Sequence, residues 1–125
     1  MATLAAATLP SLAHHSLAAD YDVSKPVLLH GIVTRVDWMN PHVRFSMDVK
    51  EASSKVSNWE FELGSPNTLR RYGWTRDSLK IGQRISVQGC RAKDSPTQGN
   101  ATGIWSDDGK VILSGTEDGQ DLAAR

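Results

Sequence analysis

The sequence predicts an all-β domain with one short helix, an OB-fold-like small Greek-key barrel. Three observations predict it. Apolar and polar residues alternate with the strand period of two over residues 42–50 and again over residues 58–63, with a polar turn around Ala52 to Lys55 between them. One helical signal follows, with Ser65-Pro66 as cap and first turn and Gly73 as stop. Strand patterns then resume at Ile85 and Val87, so the order is three meandering strands, a helix and further strands. Another small β-barrel or sandwich is the alternative architecture.

In chain order, residues 27–38 come first. Leu28, Ile32, Val36 and Trp38 share one parity while Val27, Leu29 and Val33 share the other, which predicts a long strand partly buried on both faces. Gly31 inside it predicts a bulge or sharp coil, and Asn40-Pro41 ends it. In the second strand Val43, Phe45, Met47 and Val49 face one way, with His42, Arg44, Ser46, Asp48 and Lys50 on the polar face. In the third, Trp59, Phe61 and Leu63 alternate with Asn58, Glu60 and Glu62. After the helix and a short turn at residues 75–78, the fourth strand carries Ile85, Val87 and Gly89. Residues 94–100 read as a polar loop, and residues 101–105 and 110–113 as a last hairpin around Ser106-Asp107-Asp108-Gly109.

Length and charge bound the partners. The chain has 125 residues, 14 Lys plus Arg and 14 Asp plus Glu, which predicts one domain and argues against a nucleic-acid partner held through phosphate charge. Cys90 is the sole cysteine, so an internal disulfide is excluded. No apolar stretch approaches the roughly 20 residues of a membrane-spanning helix. The expected partner is a small-molecule ligand or a metal ion.

The junction Ser11-Leu12-Ala13-His14-His15 is the most informative segment. Small residues around Leu12 suit signal-peptidase cleavage after Ala13, although Met1-Ala2-Thr3 has no basic residue. Residues 1–13 therefore read as a signal peptide or its remnant, residues 14–115 as the domain and residues 116–125 as a flexible polar tail. Export to the periplasm or beyond is the expectation. The competing reading of the start is an Ala-rich tail whose histidines hang in solvent.

Ala13-His14-His15-Ser16, Asp20-Tyr21-Asp22, Lys25-Pro26-Val27, Trp38-Met39-Asn40-Pro41-His42, Trp59-Glu60-Phe61-Glu62 and Gly73-Trp74-Thr75-Arg76 resemble a domain-of-unknown-function family of small exported bacterial proteins. The resemblance spans residues 13–115. It implies export and brings no activity with it.

Cleavage after Ala13 would give His14 a free amine beside its imidazole, two nitrogen donors suited to copper or zinc. Joined by His15 and by His42 at the barrel rim, they form the candidate metal site, analogous to the histidine brace of copper oxidative enzymes. The competing reading leaves His42 in solvent and Asn40-Pro41 as turn chemistry. His30 shares parity with Leu28 and Ile32 and is expected to be a satisfied, semi-buried residue. Trp38, ending a strand, is the candidate ligand-stacking ring with Asn40 beside it, whereas Trp59 and Trp105 are assigned to structure. Glu60 and Glu62 project from one face of a strand and, with Asp37, are the candidate acid and base groups, against the plainer reading of solvated surface carboxylates. Phosphate loops, nucleophile elbows and paired-cysteine knuckles are missing from the sequence.

Three functional classes follow. The first is an exported copper- or zinc-binding protein, a carrier or a redox enzyme. The second is a metal-free OB-type module for a small molecule, sugar, lipid or peptide, and the third a cofactor-free acid/base enzyme.

Overall fold

Strand alternation, register shifts in several ladders and a parallel pairing close the chain into a barrel. The computed structural model describes residues 20–114. The cleavage junction, His14, His15 and the tail at residues 116–125 lie outside them. The elements are β1 (Tyr21–Asp37), β2 (Arg44–Lys50), β3 (Val56–Glu62), α1 (Pro66–Arg71), β4 (Arg84–Ala92), β5 (Gln98–Ser106) and β6 (Val111–Ser114). The strands lie in the order β3-β2-β1-β4-β5-β6, and a parallel β3–β5 pairing joins the ends. An antiparallel β1-β2-β3 meander, a helix between β3 and β4, and closure of β3 on β5 make this an OB-fold-like barrel.

The core-facing positions of β2 and β3 are as the alternation requires. Val43, Phe45, Met47, Phe61 and Leu63 are buried, as are Ile85 and Val87 on β4. Phe61 stacks on Phe45 at 5.4 Å and on Trp59 at 5.8 Å between ring centroids, so three aromatic rings line the interior across the β2–β3 ladder. Ser65 caps α1 by accepting from the Thr68 N–H, and Gly73 follows the helix at φ +85°. Leu69 and Trp74 carry this segment onto the core, and the Trp74 indole donates to the Ile112 carbonyl at 3.0 Å.

The two-faced apolar pattern of β1 has a different origin from burial on both sides. A register shift between Val33 and Arg35 adds one residue, so Val27, Leu29 and Val33 face the core before it and Val36 and Trp38 after it. Leu28 is 61% exposed and Ile32 37%. His30, on their side, is exposed as well, with Nδ1 paired to the Ser86 hydroxyl at 2.7 Å. The expectation of a semi-buried His30 is therefore corrected, because parity was judged without the bulge. Gly31 is not itself the bulge. A Cβ there would lie 2.2 Å from the Asp48 carbonyl, so glycine permits the close passage of β1 over β2.

Two boundaries also move. β1 begins at Tyr21, six residues before the apolar run, because its polar start pairs with the end of β4. Residues 98–100, read as loop, belong to β5, where they supply the parallel pairing to β3. Gly99 is buried there against Phe61, and Asn100 is fully buried with its side-chain oxygen accepting from the Cys90 N–H.

Candidate functional site

Five polar side chains meet where β2 and β3 approach the start of β1. The antiparallel register sets Arg44 opposite Glu62 and Ser46 opposite Glu60, so Arg44, Glu60 and Glu62 share the outer face of the hairpin. His42, just before β2, reaches the Glu62 carboxylate through Nδ1. The Tyr21 hydroxyl donates to the other oxygen of the same carboxylate. Arg44 lies 3.8 Å from Glu62 and 3.4 Å from Glu60. The side chains of His42 and Glu62 are 40% and 20% exposed, so the carboxylate is the more enclosed partner.

This arrangement has electrostatic consequences. An ionised carboxylate only accepts, so the Nδ1 facing it carries the proton, and in the neutral ring Nε2 holds the lone pair. No hydrogen bond among the described residues engages that Nε2. Burial pushes the Tyr21 phenol well above its ordinary range, and the hydrogen bond and negative charge of Glu62 add to the shift, opposed in part by Arg44.

The sequence candidates fall into separate places. His42, Glu60 and Glu62 come together, whereas Asp37 pairs with Arg35 at 2.9 Å. Trp38 packs on the core with the Arg70 guanidinium 5.7 Å from its ring centroid, and its buried indole N–H has no hydrogen-bond partner among the described residues. A groove of about 330 Å³ runs past Trp38, Arg70, Trp74 and Arg76. Asn40 is exposed outside that groove, and the Asn40–Pro41 peptide is cis. Among the described residues, no three His, Cys, Asp or Glu side chains converge as a metal-binding group. No helix among them is long and apolar enough to cross a membrane.

Tyr21 and Arg44 are the members of this cluster that sequence reasoning missed. Arg44 was legible in principle: a β2–β3 hairpin turning about residue 53 sets it opposite Glu62. Tyr21 had no such signal, because it reaches Glu62 across the barrel closure.

The profile of a family of unknown function, DUF6152, matches residues 2–104. The chain belongs to that family. The matched span includes Tyr21, His42, Arg44, Glu60 and Glu62, so the whole cluster is family territory. No curated protein matches the chain. Among solved structures it is similar to a ZRD-deleted mutant of TiaS in complex with agmatine, at 20% identity and a TM-score of 0.48 over 80% of this chain and 24% of that one. It is also similar to the N-terminal domain of PriB from Thermoanaerobacter tencongensis, at 16% identity and a TM-score of 0.46 over 66% of this chain and 96% of that one. The DUF6152 chain thus spans about a quarter of the TiaS chain that it matches.

Proposed function

We propose that this DUF6152 protein is an exported metal-binding protein in which His42, with His14 and His15, holds a copper or zinc ion, as a carrier or a redox enzyme. The observation that carries the reading is the His42–Glu62 pair. Metal-ligating histidines usually bind through one ring nitrogen while the other donates to a carboxylate, which fixes the tautomer and raises ligand basicity. Glu62 occupies that second position, and the Tyr21 hydroxyl holds the carboxylate from its far side.

Chain length agrees with the remaining donors. His15 stands six positions before Tyr21, and six residues span at most about 20 Å, so the segment preceding β1 starts within reach of the Glu62 carboxylate. Cleavage after Ala13 would add the His14 amine to the donor set. Neutral imidazole and amine nitrogens are ligands that copper and zinc both accept.

The test is a pair of measurements on protein expressed with its native start. Intact mass and metal analysis of material recovered outside the cytoplasm should report His14 as the first residue and one bound copper or zinc ion. Calorimetric titration of the apo form should then show binding tighter than about micromolar that His42→Ala abolishes. Equal binding by that variant would leave the metal-free ligand module, with the groove beside Trp38, as the better reading.

A further inference from the structure

The outer face of the sheet at the opposite end of β2 carries a cleft that the cluster around His42 does not use. Its volume is about 410 Å³, within the 300–1,000 Å³ usual for small-ligand sites. Register explains its composition. Arg84 is level with Ile32, and Ile32 with Asp48, in one cross-strand row. Lys50 and Val56 oppose each other in the next row, and Gly31 opposite Val49 brings His30 level with Lys50. Ile32, on β1, thus lies in the floor between the strands that carry the two cations, and Val56, 58% exposed, extends the apolar surface beyond Lys50.

The two cations are not held by the carboxylates beside them. Asn58 donates to the Asp48 carboxylate at 2.9 Å, and among the described residues neither Lys50 nor Arg84 forms an ion pair. Beyond His30 on the same face of β1, Leu28 is exposed as well. Asp107, on the turn between β5 and β6, completes the lining, so two carboxylates stand against two cations and limit the negative charge that the cleft can accept.

We propose that this cleft binds a monoanionic carboxylate with an aliphatic body, the carboxylate between Lys50 and Arg84 and the chain along Ile32 and Val56. Arg84 supplies planar donors and Lys50 a point charge. The Ser86 contact at Nδ1 leaves Nε2 of His30 as a further polar group for the ligand. The site is independent of any metal at His42, which precedes Lys50 by eight residues along an extended segment of about 26 Å.

Octanoate is the probe, titrated into the full chain and followed by amide chemical shifts. Saturable shifts at residues 30–32, 48–50 and 84–86 at sub-millimolar octanoate are expected, with octanol and acetate each at least about tenfold weaker. The double variant Lys50→Gln/Arg84→Gln changes two exposed side chains and should weaken octanoate by about tenfold or more while keeping the wild-type far-ultraviolet spectrum. Octanol binding as tightly as octanoate, or unchanged affinity in the folded double variant, would overturn the proposal. So would binding to phosphatidylglycerol vesicles without any binding of free octanoate, which would make the face a membrane contact.

Discussion

Glu62 holds His42 by Nδ1 and thereby decides which imidazole nitrogen is left to bind anything else. If Nε2 is a metal ligand, Glu62→Gln should weaken metal affinity by about 10–100-fold, the usual effect of losing an outer-shell partner. Glu60→Gln removes a contact to Arg44 alone and should change affinity little. Competition titration against a chromophoric chelator distinguishes the two. Equal losses in both variants would show that general surface charge, rather than the hold on Nδ1, governs binding.

Tyr21 gives the fold an alkaline limit. Its folded pKa is raised, chiefly by burial, whereas in the unfolded chain the phenol titrates near about 10. The folded state therefore keeps its proton after the unfolded state has lost it. Stability from Tyr21 is fully present below about pH 10 and declines as pH rises above it. Denaturant melts at pH 8 and pH 11 should show a loss that Tyr21→Phe reduces. An identical alkaline loss in Tyr21→Phe would place its cause elsewhere.

The strand faces of β2, β3 and β4 were legible because each has one buried side, so alternation alone identifies Phe45, Phe61 and Val87 as core. β1 was legible as a strand but not in its parity. The extra residue near Thr34 moves the core from Val33 to Val36, and no local sequence signal places such a bulge. The same limit applies to Gly99 and Asn100. Their neighbours Pro96 and Gln98 read as loop, and only the non-local pairing to β3 makes them strand.

The site divides along the same line. His42, Glu60 and Glu62 were visible as polar-face residues of adjacent strands. Their connection through one carboxylate needed the hairpin register, and the Tyr21 contact needed barrel closure.

Phe61 lies at the centre of the aromatic stack and has no exposed surface. Truncation to alanine removes contacts to both Phe45 and Trp59 and leaves a cavity that a barrel wall cannot fill by collapsing. Phe61→Ala should cost about 3–5 kcal/mol in urea denaturation. A loss below about 1 kcal/mol would mean that the interior relaxes far more freely than its close packing allows.

Gly89 tests how tightly β4 is held against β5. It sits beside a register shift after Gln88, and a Cβ there would lie 1.7 Å from the Asn100 carbonyl oxygen and 2.8 Å from its carbon. Both obstructing atoms are backbone. The Asn100 side chain is itself fixed by accepting from the Cys90 N–H at 2.8 Å, so the obstruction can yield only by separating the two strands. Gly103 offers the comparison on the same strand pair, since its added Cβ meets the ring of Trp105, a half-buried side chain, at 2.6 Å. A side chain can shift its rotamer where a carbonyl cannot. Gly89→Ala should therefore cost more than the roughly 1–3 kcal/mol typical of overpacking, and Gly103→Ala should stay within that range. Thermal and urea denaturation of the two variants in parallel would decide it. An inverted order would show that Trp105, and not the Asn100 backbone, is the less movable neighbour.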